Sequence, residues 1–217
     1  MPHGYTNATR TDKQVVVKTY LGPDGADRQA REELALRRLA GRLPVPTLVD
    51  STPGTSTTTY VSGIPGQEAI EAGHAYEVLL ACGRLLAQLQ RVDARTLFET
   101  EPGATLVHND FGPNNVLMAD DLSEVRLLCD WEWATVGDPN TDLAWAEWIV
   151  RTHHPESLAA LPALFDGYGQ RPPWEVRQAA MLQRAQIHRE FVRRWHGTDG
   201  ERLWDDRLAA ITSWREL

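Results

Sequence analysis

A chain of 217 residues, 42% apolar and 24% charged, is long enough for a sizeable core and has the composition of an ordinary globular protein. A net charge of −8 argues against a nucleic-acid partner, and no apolar run approaches the roughly 20 residues that span a bilayer, so no membrane is expected either. Residues 1–7 are polar with no signal-peptide core, and Cys82 and Cys129 sit in apolar contexts without metal-ligand spacing, so the expectation is buried thiols in a reducing cytoplasm.

In chain order, residues 8–11 predict a short strand, Asp12-Lys13 a turn, and residues 14–20 a β-branched strand. Asp24 or Asp27 is placed to cap a helix over about 28–42, whose apolar face is Leu34, Ala35, Leu36 and Leu39 and which Pro44 and Pro46 end. Leu48-Val49 and residues 57–61 predict two strands around the Pro53-Gly54 turn. Gly63-Ile64-Pro65-Gly66 predicts a linker, which divides the chain into an N-lobe over 1–62, a hinge over 63–68 and a C-lobe over 69–217. Leu79, Cys82, Leu86 and Leu89 recur at helical steps, so residues 76–92 predict an amphipathic helix. A loop and a strand over 125–129 follow, then helices over 142–151, 155–168, 173–195 and 200–214. The expected class is α+β, with a β-rich first lobe and a mostly helical second one. Charge divides in the same way: eight Lys/Arg against six Asp/Glu over 1–62, and fourteen against twenty-four over 63–217. That suits a nucleotide on one side and a metal or cationic substrate on the other, and equally suits a plain acidic surface.

The loop His108-Asn109-Asp110-Phe111-Gly112-Pro113-Asn114-Asn115 sets an Asp and an Asn five apart, and Asp130-Trp131-Glu132 ends the strand twenty residues after Asp110. These are the offsets of a kinase catalytic loop and its metal site. Phosphoryl transfer needs an aligned hydroxyl, cations on the phosphates and little water. Asp110 is placed to accept or orient a substrate hydroxyl, while Asn115 and Asp130 supply the sparse hard oxygens that magnesium takes. A turn held by Asp and Asn side chains accounts for any one of these residues, but not for their combined offsets. His108 reads as packing the loop and bonding backbone rather than as a base, and Glu132 as joining the metal shell or bonding the loop. Lys18 lies mid-strand in an apolar run. By itself it reads as solvent-facing, but beside such a loop a strand Lys with Glu32 or Glu33 on the next helix is the kinase grip on phosphates.

These motifs resemble the aminoglycoside phosphotransferase and choline kinase-like small-molecule kinases, which share the protein-kinase fold. The family's H-G-D-x-x-P-x-N loop is matched by residues 108–115, and its D-W-E-x-A-x-x-G-D-P-x-x-D-L-A segment by residues 130–144. The start Gly4-Tyr5-Thr6-Asn7 and the helix ending in Leu43-Pro44-Val45-Pro46 are similar as well. The resemblance implies ATP, or GTP, with Mg2+ as cofactors and a small-molecule hydroxyl acceptor, cationic in some members. It implies Asp110 as catalytic base, Asn115 and Asp130 as metal ligands, and Lys18, Glu32, Gly4, Thr6 and Asn7 at the nucleotide. His108, Asp138 and Asp142 are then structural supports of the loop. Gly137-Asp138-Pro139 follows the metal Asp too closely for a protein-kinase activation loop, which argues against protein substrates.

Asn109 replaces the motif's Gly, at a place where Asn tolerates unusual backbone angles. Only three residues precede Gly4, so the first N-lobe strand is expected to be missing and the phosphate loop anchored on one side; a mis-assigned start or a real loss of activity would explain that. All eight tryptophans fall between Trp131 and Trp214. Aromatics at helical spacing are more often core than ligand platform, yet Glu132, Trp145, Trp148, His188 and Glu190 are where a substrate pocket would be lined. Two other readings stand beside the small-molecule kinase: a nucleotide-binding pseudokinase, and a metal-dependent hydrolase using Asp110, Asp130 and Glu132. The acceptor, the choice of ATP over GTP and the oligomeric state stay open.

Overall fold

The structure is a computed structural model that describes residues 7–216; Gly4 and Thr6, expected at the nucleotide, lie outside the described residues. The chain opens with β1 (Asn7–Thr11) and β2 (Val15–Tyr20), joined by a turn in which Asp12 Oδ1 accepts from the amides of Gln14 and Val15 and Lys13 takes a left-handed φ of 68°. Helix α1 (Gly25–Leu39) follows, then β3 (Leu48–Thr52) and β4 (Thr55–Thr59). The four strands form an antiparallel sheet in the order β1-β2-β4-β3, with Lys18 opposite Thr9 and Ser56. The buried face of α1 is Ala35, Leu36 and Leu39 together with Arg28 and Glu32; Leu34 is only half-buried.

The expected cap is not made. Asp24 precedes α1 in a left-handed conformation, φ 57°, with no side-chain capping bond, and its carboxylate instead meets Arg194 at 2.8 Å.

The segment predicted as a linker carries the two-residue β5 (Ile64–Pro65) and leads into α2 (Gly66–Glu71) and α3 (Ala75–Leu89). Three short strands then frame the loop over 108–115: β6 (Thr105–Val107), β7 (Val116–Met118) and β8 (Val125–Leu128); β9 (Thr135–Gly137) returns to pair with β6. Strand β7 lies between β5 and β8, so the linker is stitched to the loop's own sheet. The rest is helical: α4 (Asn140–His153), α5 (Leu161–Tyr168) and α6 (Trp174–Ser213). The helix predicted over 155–168 divides, because Pro155–Ala160 winds as 3-10 turns before α5 begins. The two predicted last helices both form and meet at a kink where Gly197 adopts a non-helical φ 65°, ψ −149°; together they make up α6.

Val78, Leu79, Cys82, Leu86 and Leu89 of α3 are fully buried at the centre of the larger core. Helix α5 crosses α3 backbone to backbone: a Cβ on Gly83 would lie 2.1 Å from the Leu164 carbonyl oxygen, and one on Gly167 2.2 Å from that of Leu80. A second core joins α4 and α6 through Trp145, Trp148, Met181 and Trp204. Buried Glu147 reinforces it by pairing with Arg151 at 2.9 Å and with Arg177. No helix among the described residues is long and apolar enough to cross a membrane.

Candidate active site

The loop is held from behind by one carboxylate. Asp142, in the first turn of α4 and fully buried, accepts from the His108 amide through Oδ2 and from the Asn109 amide through Oδ1, both at 2.7 Å. Burial pushes its pKa up to about 6 against those two donors. Asn109 turns the chain at φ 66°, the left-handed conformation that glycine would otherwise supply, and its side chain donates to the Trp133 carbonyl at 3.0 Å. His108 is buried against Trp131, and burial lowers its pKa to about 4. Its Nδ1 accepts from the Asp110 amide at 3.2 Å, so Nε2 carries the proton and donates to the Cys129 carbonyl at 2.9 Å. His108 is therefore a neutral brace between loop and β8.

Both oxygens of Asp110 are oriented. Asn115 Nδ2 donates to Oδ2 at 2.7 Å, and to the Asp110 carbonyl at 2.7 Å, while Trp145 Nε1 donates to Oδ1 at 2.9 Å. Burial and then the charge of Asp130 push the Asp110 pKa up to about 7, against Arg184, Trp145 and Asn115. A carboxylate with that affinity is matched to taking a proton near neutral pH.

From the N-terminal sheet, Lys18 on β2 meets Glu32 of α1 at 2.6 Å, touches Asp130 Oδ1 and lies 3.6 Å from Glu132. Burial works against its charge, yet Asp130, Glu32 and Glu132 hold its pKa well above the usual lysine range. Burial likewise opposes ionisation of Asp130, and Lys18 outweighs it, so the Asp130 pKa is lowered. Tyr20 donates to the same Glu32 oxygen at 2.7 Å. Glu33 turns away, its Oε1 accepting from Ser51, Ser56 and Gln29.

Glu132 is not on a pocket wall. It is fully buried and binds Arg28 at 2.9 Å and Asn7 Nδ2 at 3.1 Å, while its backbone carbonyl accepts from Arg31 at 2.8 Å. It thus ties β1 and α1 to the segment after β8, and Asn7 is bonded to this bridge. Asp138 does not reach the loop either; its Oδ1 accepts from the amide and side chain of Asn140 at 2.8 Å and so starts α4. Glu190 is exposed and lines a shallow cleft with Gln186, Arg189, Asp205 and Leu208, away from Asp110. Trp148 is buried and stacks on Trp145 at 4.2 Å; His188 stacks on Trp145 at 4.9 Å and on Trp204 at 5.0 Å.

Among the described residues, Glu32, Asp130 and Glu132 bring carboxylate oxygens within 4.8 Å of one another, and Lys18 already supplies the cation there. Asn115 and Asp130 are a different pair. They flank the paired ends of β7 and β8, where the Cys129 amide donates to the Asn115 carbonyl at 3.0 Å, and an amide with a carboxylate is a donor set that fits Mg2+. Sequence reading missed Arg28, Arg31, Tyr20 and Arg184. The signal available for Arg28 and Arg31 was their position one turn before, and beside, Glu32.

Residues 2–105 and 94–182 match the Phosphotransferase enzyme family. The chain belongs to that family. A 42-residue segment of the phosphotransferase is 43% identical to Acyl-CoA dehydrogenase family member 10 of Mus musculus, spanning 19% of this chain and 4% of that protein. The fold superposes on that of the gentamicin complex of APH(2'')-IIa with a TM-score of 0.71 at 14% identity, over 99% of this chain and 90% of that one. A choline/ethanolamine kinase family protein from Mesorhizobium loti gives 0.69 at 16% identity, over 97% and 85%. The macrolide 2'-phosphotransferase MphH from Brachybacterium faecium gives 0.61 at 21%, over 99% and 94%. At these identities the likeness is one of fold: the phosphotransferase has the protein-kinase-like architecture, with a small antiparallel sheet followed by a mostly helical part.

Proposed function

We propose that this phosphotransferase moves the γ-phosphoryl group of ATP or GTP onto a hydroxyl of a small molecule, in a cleft between the lobes on either side of 63–68. The observation that carries the reading is Asp110: a carboxylate with both oxygens oriented, by Asn115 at 2.7 Å and Trp145 at 2.9 Å, and a pKa of about 7. The acceptor hydroxyl points its proton at Asp110 and its oxygen at the γ-phosphorus. As the new P–O bond forms, the bond to the β–γ bridging oxygen breaks, the proton passes to Asp110, and the nucleoside diphosphate leaves with the bonding pair. Asp142 and neutral His108 keep the loop's backbone fixed while this happens. Lys18, steered by Glu32, is the cation available to phosphate oxygens. Asn115 and Asp130 would hold Mg2+, which when bound neutralises phosphate charge. Relatives of this fold were solved with ATP, GDP and ADP, which supports a nucleotide in the cleft.

The test is isothermal titration with ATP and GTP at several Mg2+ concentrations, followed by phosphorus NMR of reactions with hydroxyl acceptors. Magnesium-dependent nucleotide binding and a new phosphate ester are expected. Tight binding without transfer to any acceptor would identify a nucleotide-binding pseudokinase; no binding would sink both.

A further inference from the structure

Close to Asp110, α6 places two polar side chains one turn apart with buried nitrogen atoms that find no hydrogen-bond partner among the described residues. Arg184 is 3% exposed, its Nε and Nη2 donors are unmet, and it forms no ion pair among the described residues. His188 Nε2 is likewise buried and unmet. Leaving a buried guanidinium without oxygen partners is costly, so such a group marks a place where an oxygen is to be received.

The surroundings say which oxygen. The Arg184 guanidinium lies 5.6 Å from the Trp133 ring centre and 5.9 Å from that of Trp145. Trp145 is the residue whose indole N–H holds Asp110 Oδ1, and His188 stacks on its ring. Arg184 is therefore one indole away from the proposed base. Its charge acts on Asp110 and Asp142, and its packing on Trp145 sets it on the α4–α6 side of the base. Burial brings its pKa down to about 10, so it is cationic at neutral pH. Glu190, expected to line the substrate pocket, lines the separate outer cleft.

Resting on the phosphotransfer reading above, we infer that Arg184, with His188 and the faces of Trp133 and Trp145, forms a subsite for an oxyanion carried by the acceptor, so that the substrate class is a small hydroxyl compound bearing a carboxylate or phosphate and not a polyamine. The oxyanion takes the unmet guanidinium donors in a charge-assisted, two-pronged contact, the histidine adds a further polar contact, and the acceptor hydroxyl is delivered to Asp110.

The experiment compares glycerate as the carboxylate arm and glucose 6-phosphate as the phosphate arm with kanamycin and choline, each with the full chain and Mg-ATP. It measures nucleoside diphosphate release and product by phosphorus NMR, with calorimetric ATP binding recorded separately. Turnover of an anionic arm is expected. Arg184→Gln should raise that acceptor's KM at least ~10-fold, the size of a charge-assisted hydrogen bond, with the KM for ATP unchanged. Arg184→Lys should recover part of the loss, and melting curves of both variants guard against simple unfolding. Turnover confined to kanamycin or choline, or an anionic-acceptor KM unmoved by Arg184→Gln, overturns the inference and shows an arginine that holds internal water only. ATP binding with no transfer to either anionic arm overturns it as well. Absence of ATP binding instead overturns the phosphotransfer reading on which it stands.

Discussion

Replacing Arg28 by Met should cost more stability than any exposed substitution, because it takes the nearest cation from a buried carboxylate. Arg28 is 1% exposed and Glu132 fully buried, at 2.9 Å from each other. The guanidinium also donates to the Leu21 carbonyl and, at 3.2 Å, to that of Pro23, so the change frees the loop before α1 as well. Removing one partner of a buried ion pair typically costs about 3–5 kcal/mol. Glu132 keeps Asn7 at 3.1 Å and Lys18 at 3.6 Å, which places the loss at the lower end of that range, about 3 kcal/mol. For a chain of this length each kcal/mol shifts Tm by about 2–4 °C, so a fall of about 6–12 °C is expected by circular dichroism. Adding Glu132→Gln to Arg28→Met should recover at least a third of the loss, since the buried charge is then gone. A fall below about 1 kcal/mol, or a double variant as unstable as the sum of the two single ones, would refute this account of the bridge.

Asp110 also makes stability pH-dependent in a defined direction. Its pKa is about 7 in the folded chain, against about 3.9 in an unfolded one. Between those values the folded state holds a proton that the unfolded state has lost, so this group's contribution is full at low pH and is lost as pH rises through 7. Urea midpoints should show Asp110→Asn gaining on the wild type from pH 4 to pH 7; a constant difference would refute the raised pKa. Lys18→Met should lower phosphate transfer at least ~100-fold, since a preorganised cation at the phosphates is lost. Transfer within a few-fold of the wild type in a coupled assay would remove Lys18 from the nucleotide site.

The offsets of Asp110, Asn115 and Asp130 were legible because one loop and one strand end carry them, and local chain geometry brings them together with little help from the rest of the fold. Lys18 and its helix partner were legible as a choice between Glu32 and Glu33. Helical rotation decides it, turning Glu32 inward to Lys18 and Glu33 toward Ser51 and Ser56. The Arg28–Glu132 bridge spans 104 residues of sequence, and nothing in either neighbourhood announces the other. Arg184 was hidden for the same reason: on the helix predicted over 173–195, only the packing of α4 against α6 reveals a guanidinium with no ion pair among the described residues near the base. Strands β6, β7 and β9 are three residues each, too short for an alternation to register. Asp24 misled because a capping residue type sat in a left-handed conformation that aims its carboxylate at Arg194 instead.

The central claim is that Asp110 takes the acceptor's proton. Single-turnover transfer from Mg-ATP to an acceptor that the wild type phosphorylates should fall at least ~100-fold in Asp110→Ala, the usual range for loss of a general base. Calorimetric ATP affinity should stay within a few-fold of the wild type. Undiminished transfer by Asp110→Ala would contradict the account.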